Sequence, residues 1–167
     1  MDTTEAVIII HDHVADGAPI DDATLRACAP LFATDLHARD AVIMCALRPD
    51  DASLDHILGF ALHPHDKSNA ALQARILAAV MFGTLPVDTE SLGRAMSLFE
   101  RMRDLDDTPE HHNPFTATLM YFAWLTNDMP AVAAHTAELD EDQPVPRLAR
   151  IVLCALSKGM HTEAKMD

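Results

Sequence analysis

The stretch Asn113-Pro114-Phe115-Thr116-Ala117-Thr118-Leu119-Met120-Tyr121-Phe122-Ala123-Trp124-Leu125 decides the fold class. Asn113 is a good helix cap and Pro114 suits the first helical position, where its missing N–H costs nothing. From Phe115 onward the apolar side chains go nearly all the way round the helix. A surface helix would show one apolar stripe, so this pattern predicts a central helix covered on most sides by other helices.

Working outward, the same punctuation recurs every 15 to 20 residues and gives nine helices. Asn127-Asp128 makes a turn, and Met129-Pro130 opens a short helix to about Leu139. A last helix runs from about Pro146 to Lys158 and closes at Gly159, leaving 161–167 as a frayed tail. Upstream, Asp88 leads into Leu92, Met96, Phe99 and Met102, one face of a helix at spacings of four and three. Ser68 caps Asn69 to Phe82, with Gly83 as a left-handed stop. Asp50 or Asp51 starts a helix through Leu62, and another spans Leu36 to Leu47. Asp21 or Asp22 opens one through Leu31, with a possible kink at Pro30. Thr3 or Thr4 caps the first, to about Val14, although Val7 to Ile10 could equally be a strand. His111-His112 fall in a loop on this reading. Connections of three to seven residues favour antiparallel hairpins, so one all-α domain, a bundle of stacked hairpins over 1–167, is expected.

Charge narrows the partners. Twelve Lys and Arg stand against twenty-six Asp and Glu, a formal net charge of -14. Such a surface repels phosphate backbones and anionic lipid, so neither nucleic acid nor a membrane is an expected partner. The three cysteines, Cys28, Cys45 and Cys154, have no zinc or redox spacing. They read as buried thiols of a reducing compartment, and no basic-then-apolar leader precedes the first helix. A cytoplasmic location follows. With 49% hydrophobic residues the core needs no structural metal or cofactor.

The residues that could carry chemistry are few. Ten histidines occur, among them His11 and His13, whose side chains would point about 200° apart on a helix and could share a metal only on a strand. All-helical phosphohydrolases of the His-Asp type use a distant His, a His-Asp dipeptide and a later Asp around divalent metal. His37, His65-Asp66 and Asp128 occur in that order, but His65-Asp66 reads as a loop, whereas that chemistry needs the dyad on a rigid element. Arg39, beside Asp40 on an apolar helix, needs a partner if buried. An acid on a neighbouring helix is the simple expectation, and a ligand-anchoring arginine the sharper one. No nucleophile elbow or phosphate-binding glycine loop is present.

Two resemblances add to this. Leu119 to Gly159, an aromatic helix, a tight turn and a helix carrying Ala131, Ala133, Ala134 and Ala137, resembles a tetratricopeptide hairpin, with Asn127 where glycine is usual and no repeat period along the chain. More widely, Asp21 to Gly159 is similar to the C-terminal helical half of an uncharacterised actinobacterial family, domain of unknown function 4192. The residues that carry this are Asp21-Asp22, Leu36-His37-Ala38-Arg39-Asp40, Ala123-Trp124-Leu125 with Asn127-Asp128, and Arg147-Leu148-Ala149-Arg150 with Gly159. The family's strand-rich N-terminal half has no counterpart in these residues, as in a fragment or a shortened member. The resemblance implies a helical fold and a bacterial source, and no activity.

A non-catalytic module is therefore expected, binding another protein or another domain of its parent chain, with a homodimer also open. At -14 it should favour a basic or apolar surface. The acidic loops carrying Asp106 and Asp107 and, beyond them, Asp140 and Asp142 are the expected contact residues. The rival is the metal-dependent phosphohydrolase.

Overall fold

The computed structural model describes residues 1–167 as nine α-helices with no strand: α1 (Thr3–Asp16), α2 (Asp22–Thr34), α3 (Leu36–Leu47), α4 (Leu54–Leu62), α5 (Lys67–Met81), α6 (Thr89–Leu105), α7 (Pro109–Leu125), α8 (Met129–Glu138) and α9 (Arg147–Ser157). No helix is long and apolar enough to cross a membrane. Two helices form the centre. On α7 every residue from Phe115 to Leu125 is buried, as its apolar circumference requires, and on α3 the same holds from Ala41 to Leu47. Both carry an unbroken apolar run, which only a helix surrounded by others can hide. Around them α3 pairs with α4, α6 with α7 and α7 with α8, while α1 packs on α3, α4 and α6 rather than on its neighbour in sequence, α2. That packing gathers 43 buried apolar residues into one core.

The caps explain the boundaries. The side chains of Asp2, Asp21, Asp35, Asp88 and Asp128 each accept a hydrogen bond from a first-turn N–H and so open five of the helices. The segment from Val7 to Ile10 is helix, with Val7 and Ile10 in the core, and α2 continues through Pro30. Asn127 takes a left-handed φ of 58°, the one non-glycine residue to do so, and makes the turn between α7 and α8.

Several boundaries differ from expectation. Asp50 and Asp51 lie in a short 3-10 turn, Pro49–Asp51, rather than capping α4, because Asp51 is held by Arg48. Ser68 lies inside α5, which Asp66 precedes, and Asn69 turns its amide back onto the carbonyls of Gly59 and His63. Helix α7 starts at Pro109, not Asn113, so His111 and His112 are helical rather than in a loop. Cys154 is exposed; only Cys28 and Cys45 are buried. The last residues are docked, not frayed. Thr162 is buried with its hydroxyl on the carbonyl of Leu125 (2.7 Å), Glu163 N–H donates to Met81 O (2.8 Å), and Val87 bridges to Met166.

Candidate functional site

The four acidic residues expected to meet a partner divide into two kinds. Asp106 is a turn-former: its carboxylate accepts from Thr108 N–H (2.9 Å) and lies 2.7 Å from His111 Nδ1, and its side chain is only 5% exposed. Burial pushes this carboxyl up, but the hydrogen bonds from His111 and Thr108 outweigh it and hold it below the usual range. Asp140 likewise accepts from Asp142 N–H and from the Gln143 amide. Asp107 and Asp142 are exposed. The two loops do meet, since Gln143 Nε2 donates to the carbonyl of Pro109 (2.8 Å). Nearby, Glu138 receives Arg103 (2.9 Å) and His135 (3.0 Å). This end of the bundle uses much of its charge on its own turns.

The histidine and aspartate set comes together only in part. The rings of His37 and His65 stand edge to face, 5.7 Å between centroids. Asp66 precedes α5 in a loop, and the carboxylate of Asp128 is occupied as the cap of α8. No group of three or more His, Cys, Asp or Glu side chains is arranged to hold a metal ion.

Arg39 is where the structure departs most usefully from expectation. It is only 2% exposed, yet its partner is not an acid on a neighbouring helix. Its Nε and Nη2 both donate to one oxygen of the adjacent Asp40, at 3.3 and 3.0 Å. Nη1 donates to no protein group, and Arg39 lines two of three adjoining hollows. These hollows, about 180, 530 and 520 Å³, share Arg147 and form one groove along α9. Helix α9 lines all three; α5 walls the first two and the segment 143–146 the third, over a floor of α3 and α7. The groove exists because α9 packs mainly on α7 and α5 mainly on α3 and α4, which leaves a gap between them.

The floor and walls have two characters. Four of the chain's nine exposed large hydrophobics, Leu36, Val145, Ile151 and Met160, line the groove. So do four of its twelve cations, Arg39, Arg147, Arg150 and Lys158, against two of its twenty-six acids, Asp40 and Glu110. The charge ratio of the whole molecule is inverted here. Tyr121 and Trp124, 5.9 Å apart, form the aromatic floor. Burial, and then the nearby Asp40, raise the Tyr121 hydroxyl to about 12, so it is a neutral donor at any physiological pH. Trp124 Nε1 is the one buried side-chain nitrogen or oxygen in the molecule without a hydrogen-bond partner. Leaving such a donor unmade costs about 1–3 kcal/mol.

Of the sequence candidates, the groove takes in Arg39 alone. Its other members come from α2, α3, α5, α7 and α9 and from the segments on either side of α9. The spacing of Arg147 and Arg150, with apolar residues between them and none of the acids that flank other cations, was the local signal for it. Compared with known proteins, the chain matches no family model, no curated protein and no solved structure at a significant level.

Proposed function

We infer that this domain is a non-catalytic protein-interaction module, and that its contact surface is the groove along α9. The observation that carries this reading is the coincidence of exposed apolar side chains with cations in one continuous hollow. Apolar surface gathered in a hollow and rimmed by polar residues has the form of a binding groove. The partner is another protein or another domain of the parent chain, because an open groove bounded by two helices suits a polypeptide segment lying along it. The acidic loops have a secondary role, since Asp106 and Asp140 are already engaged and only Glu110 and Gln143 from those segments reach the groove. A cytoplasmic setting suits the unpaired cysteines.

Selection of displayed random peptides against the domain tests the reading. Enriched peptides should bind the native protein and fail to bind Leu36→Ser/Ile151→Ser, both substitutions being at exposed positions that leave the core intact. Peptides that bind both proteins equally would place the contact elsewhere. A selection that enriches nothing would remove the reading altogether.

A further inference from the structure

Resting on that reading, we propose that the groove along α9 recognises an apolar segment carrying isolated acidic side chains, with a carboxylate received by Arg39 and Arg147. The apolar half of the argument is the wall of Leu36, Ile151 and Met160, which offers a segment side-chain-sized surface to cover. The charged half is Arg39. A guanidinium on a side chain only 3% exposed that spends two donors on a single oxygen of a part-exposed aspartate keeps a free Nη1, on a residue that lines the groove. A planar guanidinium is built to bind a carboxylate through more than one N–H, and such charge-assisted bonds are the strong ones. Arg147 borders all three hollows, so a carboxylate near Arg39 also lies within its reach.

The neutral donors point the same way. Tyr121 keeps its proton where it lines the same hollow as Arg39, and the Gln73 amide lines that hollow too. Among the charged groups lining the groove, Arg39, Arg147, Arg150 and Lys158 outnumber Asp40 and Glu110. The complement of such a floor is an acceptor, and the complement of its walls is apolar.

The rest of the molecule limits how acidic the occupant can be. Charges more than about 8 Å apart are screened at physiological salt, so inside the groove the four cations dominate their own neighbourhood. Beyond it the surface is acidic, with a net charge of -14. A polyanion such as nucleic acid would extend past the groove onto that surface and be repelled, whereas one or two carboxylates set among apolar residues would not.

A fluorescein-labelled peptide built on the repeat Leu-Ala-Glu-Leu-Ala, long enough to follow the 11 residues of α9, is the probe, compared with its Gln-for-Glu and Lys-for-Glu versions. The Glu peptide should bind with a change in the emission of Trp124, and the Gln peptide at least about tenfold more weakly, the size of one good charge-assisted hydrogen bond. Arg147→Gln, at an exposed position, should remove most of that difference, and Arg39→Gln the remainder. If the Gln or Lys peptide binds as tightly as the Glu peptide and Leu36→Ser/Ile151→Ser abolishes both, the groove is a peptide site but not a carboxylate site. That result overturns this inference and leaves the module reading standing. Failure of the Glu peptide to bind overturns the inference as well, and the display selection judges the module reading separately. A native dimer that Leu36→Ser/Ile151→Ser converts to monomer would overturn it too, because the occupant would then be a second copy.

Discussion

Asn113 and Asp140 hold each other by a reciprocal pair of hydrogen bonds. The Asn113 amide donates to the backbone carbonyl of Asp140 at 3.0 Å, and its oxygen accepts the Asp140 N–H at 2.7 Å. A side chain in mid-helix thus imitates a strand partner and fixes the loop that leads from α8 toward α9, the helix that makes the groove. Asn113 is 1% exposed, so both bonds are shielded from water.

Replacing it should be costly. Asn113→Ala leaves two backbone groups of Asp140 unmade and should lose about 2–3 kcal/mol in urea unfolding. Asn113→Asp should lose at least as much, because it keeps the acceptor but sets a carboxylate against the carbonyl of Asp140. A loss below about 0.5 kcal/mol for both, the size of an ordinary surface substitution, would mean the loop is held by something else.

The C-terminal residues should behave as part of the fold. Removing 162–167 uncovers Leu125 O, Met81 O and Val87, and exposes the Asn127 amide that donates to Thr162 O at 2.9 Å. Thermal unfolding of the truncated protein should fall by several degrees. Gly83→Ala should act in the same sense, since Gly83 has a φ of 63° and a Cβ there would run into the carbonyl of Glu163. Limited proteolysis that trims these residues first, with no change in stability, would show the tail to be dispensable.

Acid should loosen the loop end of the bundle. In the folded state Glu138 is held low by His135 and then by Arg103, and Asp106 is held low once its hydrogen bonds outweigh its burial. Because both carboxyls lie below their unfolded values of about 4, their contribution is complete above that pH and is lost as pH falls through the lower, folded values. The double variant Asp106→Asn/Glu138→Gln should therefore show a flatter loss of stability below about pH 4. An acid limb as steep as that of the native protein would assign the effect to other carboxylates.

The three thiols should separate cleanly. Burial raises Cys28 to about 11 and Cys45 to about 12, and both are enclosed, while Cys154 is exposed on the groove wall. A maleimide at neutral pH should modify one cysteine per native chain, and a bulky neutral one should block peptide binding without unfolding the domain. Rapid modification of two or three would contradict the burial of α2 and α3.

How much of this was legible in the residues can be judged element by element. The circumference of apolar side chains on α7 is a local pattern, and it announced a central helix correctly. Caps such as Asp21, Asp88 and Asp128 act on residues two or three places away, so they too could be read in order. Asn113 has the chemistry of a cap and was read as one, but its partner lies 27 residues on, and only the packing of α7 against the following loop brings Asp140 there. The tail has the composition of a loose end, and its ordering depends on carbonyls of α5 and α7 that no sequence window includes. For Arg39 the residue itself was singled out, because a cation on an apolar helix is costly wherever it goes. Its company was not, since Arg147, Tyr121 and Trp124 meet it only through the gap left between α5 and α9.

Amide hydrogen exchange with and without a display-selected peptide tests most directly whether the groove is the contact surface. Slowed exchange should appear in 36–44 of α3 and along α9, with the acidic loop residues 106–108 and 140–142, which do not line the groove, unchanged. Protection centred on those acidic loops, with α9 unaffected, would contradict it.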